Sequence, residues 1–421
     1  MNNQSQRSYF KLGLLILIFF VVSFFTNILG ALNPSVTTSF DLTETLAGLL
    51  PFSFFIAYGI MSIPSGILVE KYREKKMLLA AFLLCMAGAI IFVAFPAFRV
   101  YMISLFTIGT SLAMLQVIIN PLLRVTGGEE HYAFNSVLAQ LAFGMASFVS
   151  PKLYTWIVTN VHASEEPGAI GQFLNSVTPK DLSWVALYTV FAIISAGMLI
   201  LIGATRFPKV ELKSDEKSGA VSDYIDLFRN KTVILFFFGI FAYVGTEQGI
   251  SYWLSKFLAD YHGYDYETTG ADAVANYWGL MTLGGVLGLV LLKLADSKVV
   301  LRWFTLMTMV SFLLGLFGNA KMALLLLPVT GFFMSVMYPI IISLALNSVN
   351  KHHGSFAGIL MTGIMGGAVI QLLIGGLADV INLKVAMLLN MVTLGYILSI
   401  GFWAQPLVRN KTLQVFKSKG G

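Results

Sequence analysis

Phe241-Ala-Tyr-Val-Gly-Thr-Glu-Gln-Gly-Ile-Ser-Tyr-Trp253 lies inside an apolar segment that begins near Val233. Glu247 falls about fourteen residues into that segment, near the middle of a stretch long enough to cross a bilayer. A carboxylate at that depth is unfavourable by about 2.5–3.5 kcal/mol on insertion scales. A chain keeps such a group where something stabilises it or something uses it.

The rest of the chain has the same apolar character. It is 57% hydrophobic and 11% charged over 421 residues, with a mean hydropathy of +0.79. Soluble domains carry about 25% charged residues, so the composition is that of a polytopic membrane protein. The isoelectric point near 9.2 does not point to nucleic acid, because the basic residues sit in short loops between apolar spans. The one cysteine, Cys85, is inside an apolar segment and rules out an intrachain disulfide or a thiolate metal site. His131, His352 and His353 fall in loops, so no metal site is expected. The polar start, Met1 to Ser8, precedes about twenty apolar residues with no small-residue cleavage site, which reads as a retained first helix.

Twelve spans follow the hydropathy, at 12–32, 45–69, 76–95, 99–123, 133–156, 183–205, 232–257, 271–294, 301–318, 322–347, 354–378 and 384–407. Strand alternation is absent, so the fold class is all-α. With the N-terminus in the cytoplasm, 21 of the 27 Lys and Arg residues lie in inside loops and 6 in outside loops. This is the positive-inside bias, and an even span count puts both termini inside. The polar loop from Phe207 to Asn230 divides the spans six and six. The expected organisation is therefore an N-terminal bundle over 1–206, a cytoplasmic linker over 207–231 and a C-terminal bundle with its tail over 232–421. The other long loop, Val158 to Asp181, reads as an irregular cap or gate.

The halves echo one another. Gln116-Val-Ile-Ile-Asn-Pro121 in the fourth span and Ser335-Val-Met-Tyr-Pro339 in the tenth each place a polar residue just before a proline. Six spans plus six with weak internal similarity resembles the major facilitator superfamily, whose halves are parallel repeats around a midplane site. Gly66-Ile-Leu-Val-Glu-Lys-Tyr-Arg-Glu-Lys-Lys76 is similar to that superfamily's loop signature, with Glu70 in place of the usual Asp. The resemblance implies that spans 1, 4, 7 and 10 line a cavity.

Deep polar and aromatic residues fall on those spans: Asn27 and Asn33, Gln116 and Asn120, then Glu247, Gln248, Tyr252 and Trp253, then Ser335, Tyr338 and Asn347. Gln116 and Asn120 are four apart and share one helix face. Glu247 and Gln248 are about 100° apart on the helix, so only one points squarely at a given partner. Tyr277, Trp278 and Gln140 are second-tier lining candidates. Amides and a carboxylate can pair with sugar hydroxyls, each both donor and acceptor, and aromatic faces pack on the apolar face of a sugar ring. An anion site would need Arg or Lys at depth, and no span centre has one. The bland alternatives are interhelical hydrogen bonding for the amides and packing for the aromatics.

Tyr58-Gly, Ile63-Pro-Ser-Gly66, Leu115-Gln-Val-Ile-Ile-Asn-Pro-Leu122, Tyr243-Val-Gly-Thr-Glu-Gln-Gly, Ala275-Asn-Tyr277 and Met334-Ser-Val-Met-Tyr-Pro339 narrow the resemblance. Together they resemble the fucose–galactose–glucose:proton symporters, in the glucose/galactose branch. That likeness implies binding roles for Gln116, Asn120 and Tyr338, with Gln140 needing a small shift to align. It also implies two proton-carrying acids in the first half, and this chain has Gly30 and Gln116 at those places.

The expected function is a secondary transporter importing a hexose or related sugar with a coupling cation, in the bacterial inner membrane, as a monomer among membrane lipid and with no cofactor. Glu247 is the one acid placed to exchange a proton. With oxygens from Gln116, Asn120 or Gln248 it would instead ligate sodium. Loss of the two other acids leaves an uncoupled facilitator open, and the aromatic and Met content leaves an exporter of amphipathic drugs open.

Overall fold

A computed structural model of the chain describes residues 9–128, 131–163, 168–208, 221–349 and 352–407. The described residues are helical, without strands. Eleven helices are long and apolar enough to cross a membrane. They are α1 (Tyr9–Ser39), α2 (Glu44–Tyr72), α3 (Glu74–Ala94), α4 (Phe98–Gly127), α6 (Ser183–Ala204), α7 (Lys231–His262), α8 (Tyr266–Leu294), α9 (Ser297–Phe317), α10 (Ala320–Leu346), α11 (His353–Val380) and α12 (Leu383–Trp403). The twelfth, α5 (Tyr132–Asn160), has 29 residues, about 43 Å at the α-helical rise. It is more polar than the others but sits where the fifth span is expected. Every expected span is present, and most run several residues past their expected ends.

Local chemistry sets the ends. Thr43 caps α2 by accepting from the Leu46 N–H at 3.3 Å. Asn230 caps α7 through Thr232, Asp296 caps α9 through Lys298, and Asn319 caps α10 through Met322. Gly263, at φ +67°, ends α7 in the left-handed conformation. Among the described residues three spans loosen into a turn: α1 at Asn27–Ile28, α10 at Ser335–Val336 and α12 at Met387–Leu388.

The loop expected to be irregular over 158–181 holds a helix at Ala169–Val177. His162 ties its far end down, with its backbone N–H donating to Asn175 at 2.9 Å and its ring bonded to the Thr178 carbonyl. Residues 209–220 of the linker over 207–231 lie outside the described residues; its last part holds the helix Val221–Arg229.

Within the first half, α3 packs on α4 and α6, and α1 on α5; within the second, α9 packs on α10, and α7 on α11 and α12. A cluster of Phe92, Tyr101, Trp184, Tyr188 and Phe191 fills the first half, and the Tyr188 hydroxyl donates to that of Tyr101 at 2.7 Å. The halves are joined chiefly by α1 with α7, α2 with α11, and α5 with α8, and α1 also touches α8. The face where α1 begins and α12 ends is the terminal face; the opposite one is the distal face.

Candidate functional site

Along α7, every residue from Ala242 to Ser255 is buried except Glu247, which is partly accessible. Glu247 is therefore the one residue of that stretch that is not buried. Tyr243, one turn earlier on the same face, donates its hydroxyl to Glu247 Oε1 at 2.7 Å. The Tyr338 ring from α10 lies 5.6 Å from the Tyr243 ring, and the Tyr338 hydroxyl reaches Met361 Sδ on α11 at 3.5 Å. From α8, Tyr277 donates to the Glu247 backbone carbonyl at 3.2 Å. Trp278 stands edge-on to Tyr277 with ring centroids 5.2 Å apart. Four helices of the second half thus hold one carboxylate among aromatic rings and thioethers.

The expected residues separate into groups. Tyr277 reaches the Glu247 backbone carbonyl, and Tyr338 lies against Tyr243, as described. Gln248 is buried on the neighbouring face of α7, with its side chain against Gly367 of α11. Trp253 is fully buried and stacked edge-on against Tyr252 at 5.1 Å, with its indole N–H unpartnered among the described residues. Asn27, at the break in α1, donates to Ser147 Oγ of α5 at 2.8 Å and to Ser23 Oγ at 3.2 Å. Ser23 and Ser147 are themselves bonded at 2.6 Å, so Asn27 belongs to a knot between α1 and α5. Gln116 is half-buried and Asn120 exposed. Among the described residues neither side chain makes a hydrogen bond, and neither is joined to Glu247. Gln140 is exposed on α5.

Two residues belong to the site beyond the expected set. Tyr243 was legible from its i, i+4 spacing to Glu247. Met361 carries no signal in its own surroundings, since an apolar residue in an apolar helix could face any side. Gly30 has a structural reason to lack a side chain. A Cβ there would run into the Ser251 carbonyl of α7, so the place where an acid was expected is where the two backbones touch.

The Major Facilitator Superfamily model matches residues 15–370. The chain belongs to the major facilitator superfamily. Among its relatives, a glucose/galactose transporter of Brucella abortus biovar 1 (strain 9-941) is 29% identical over 403 residues, covering 93% of this chain and 94% of the relative. The L-fucose-proton symporter of Escherichia coli (strain K12) is 28% identical over 404 residues, covering 89% and 88%. The solved Escherichia coli fucose:proton symporter superposes with a TM-score of 0.69 at 23% identity, covering 95% of this chain and 100% of that one. An inward-facing bacterial homologue of the human lysosomal transporter Spinster reaches 0.76 at 13% identity, covering 96% and 98%. The superfamily fold and the resemblance to sugar–proton symporters both stand. This superfamily member is a multi-pass membrane transporter, not an enzyme.

Proposed function

We propose that the chain imports a hexose or related sugar together with a cation, by rocking its two halves about a midplane site. One observation carries the reading: Glu247 is the one partly accessible residue in a buried wall, its carboxylate oriented by Tyr243, whose ring lies beside that of Tyr338. The carboxylate handles the coupling charge, and the rings around it offer flat apolar faces and hydroxyls to a sugar. The names of the relatives, glucose/galactose transporter and L-fucose-proton symporter, support the substrate class. The bias of basic residues supports a cytoplasmic terminal face in the bacterial inner membrane, and the chain is proposed to act as a monomer.

Uptake by the purified protein in liposomes tests this, across a sugar panel with pH and sodium gradients imposed separately. Accumulation of a hexose above the outside concentration, driven by one gradient and lost in Glu247→Gln, is the expected result. Equilibration without accumulation favours the second reading, an uncoupled facilitator. That reading has its own observation: Gly30 and Gln116 leave the first half without an acid at either expected place.

A further inference from the structure

The distal face is closed by polar contacts that cross between the halves. Asp379, near the end of α11, accepts the backbone N–H of Glu44 at 2.8 Å and of Thr45 at 2.9 Å, and the Thr45 hydroxyl at 2.5 Å. Those N–H groups are the first two of α2, which no turn of α2 can satisfy. The own cap of α2, Thr43, serves only Leu46. Glu44 also pairs through Oε1 with Lys256 of α7 at 3.2 Å, and Lys256 pairs with Asp260 one turn on at 3.0 Å. The Lys256 and Glu44 side chains are 13% and 23% exposed. Another ion pair across the halves, Lys152 with Asp272, is 42% and 47% exposed and so better screened.

The placement of Asp379 is rigid. Four residues before it, Gly375 presses on the Glu44 backbone, and Gly48 of α2 presses on the Gln371 and Leu372 backbones of α11. The two helices cross backbone to backbone there, which puts the Asp379 carboxylate over the start of α2. Tyr252 adds a bond from α7 to the Ala47 carbonyl at 2.6 Å, and Asn33 of α1 donates to the Tyr252 carbonyl at 3.1 Å.

We propose that Asp379, Glu44 and Lys256 form a latch that holds the distal face shut, with Asp379 capping α2 from the opposite half. The latch is built to release. Glu44 Oε2 is buried without a partner among the described residues, so the Glu44 carboxylate is only half satisfied while shut. When α2 swings away, Lys256 keeps Asp260 on its own helix, so no cation is stranded. Water takes over the freed N–H groups of α2. The latch rests on the alternating access proposed above, because a face that never opens needs none.

The test uses the full chain with a reporter at Ala47→Cys. Ala47 is fully buried under the latch, and its bond to Tyr252 is made by its backbone. Cys85 is fully buried and stays as background. In liposomes without sugar, a membrane-impermeant maleimide is applied to the distal face. Asp379→Asn keeps the size but turns one of the two acceptor oxygens, Oδ1 for Glu44 or Oδ2 for Thr45, into an NH2 that cannot accept, and labelling is expected to speed up about fivefold, the worth of one hydrogen bond. Lys256→Met leaves Glu44 unpaired and is expected to speed it at least about tenfold. Asn319→Ala removes a cap within one half and is expected to leave the rate unchanged. Rates within twofold of the unaltered reporter in both Asp379→Asn and Lys256→Met would overturn the latch. Because no sugar is present, failure of the latch and failure of coupled sugar uptake are separate outcomes.

Discussion

α1 and α7 open the two halves of one repeated plan, and they meet in the middle of the molecule with opposite equipment. α1 brings Gly30, bare enough to touch the α7 backbone at Ser251, and Asn27, whose amide is spent on two serines of its own half. α7 brings Glu247, accessible and oriented by Tyr243. The contrast extends to their fourth-helix partners: α4 offers the unbonded amides Gln116 and Asn120, while α10 offers the Tyr338 ring. The proposed coupling charge thus sits on the second half, opposite neutral hydrogen bonding and close packing from α1 and α4.

The sharpest way to break that contrast is to neutralise the acid. Glu247→Gln is expected to bring the accumulation ratio of the sugar down to about one while leaving exchange across the membrane intact, since the removed group is the intramembrane charge. Asn27→Ala, on the other half, is expected to keep accumulation and lower the melting temperature instead. Accumulation that survives in Glu247→Gln and vanishes in Asn27→Ala would reverse the assignment.

Next in size is Tyr243→Phe, which removes only the hydroxyl that donates to Glu247 Oε1. A hydrogen bond to a charged group contributes about 1.5–3 kcal/mol, so gradient-driven uptake is expected to fall roughly tenfold or more. Tyr277→Phe removes a hydroxyl that reaches the Glu247 backbone carbonyl and Met334 Sδ but not the carboxylate, and a neutral bond contributes about 1 kcal/mol. Its uptake is expected to fall severalfold at most. Initial rates of the two variants side by side check whether the carboxylate itself, and not the local backbone, is what the tyrosines serve.

Gly30→Asp returns an acid to the first half at the place where the resemblance expects one. The added Cβ meets the Ser251 carbonyl, and overpacking of this kind costs about 1–3 kcal/mol. The expected result is a lower melting temperature and faster distal labelling of the Ala47→Cys reporter, with no gain of coupling. A variant that accumulates sugar more strongly and melts as before would show that α1 has room for charge after all.

The division of labour was only partly legible in the sequence. The twelve spans were, because about twenty apolar residues between basic loops leave few alternatives. Glu247 was, because a lone carboxylate stands out in such a span. The faces of the helices were not. A helix apolar on nearly every side has no polar stripe to orient it, so Asn27 read as cavity lining while its amide turns into α5, and Trp253 read as lining while it is fully buried. The latch was hidden for a different reason. Asp379 and Glu44 are 335 residues apart, and no local spacing records that they meet. The helix Ala169–Val177 was missed because its polar and glycine content reads as loop, although Ile170, Phe173 and Val177 stand exposed on it.

The smallest expected effects are on α4, and they decide whether the first half touches substrate at all. Gln116 and Asn120 share a face, remain accessible and are bonded to nothing among the described residues. An accessible amide without a partner loses no protein contact when it is truncated, so the melting temperatures of Gln116→Ala and Asn120→Ala are expected to match the unaltered chain. If either amide binds a sugar hydroxyl, its removal raises the apparent KM about fivefold, the worth of one neutral hydrogen bond. The accumulation ratio stays unchanged, because Glu247 is intact. Concentration dependence of uptake, measured beside the accumulation ratio, separates binding from coupling. A raised KM at constant accumulation assigns recognition to the first half and coupling to the second. An unchanged KM in both variants leaves the sugar held by the second half alone, with α4 as a bare polar wall opposite it.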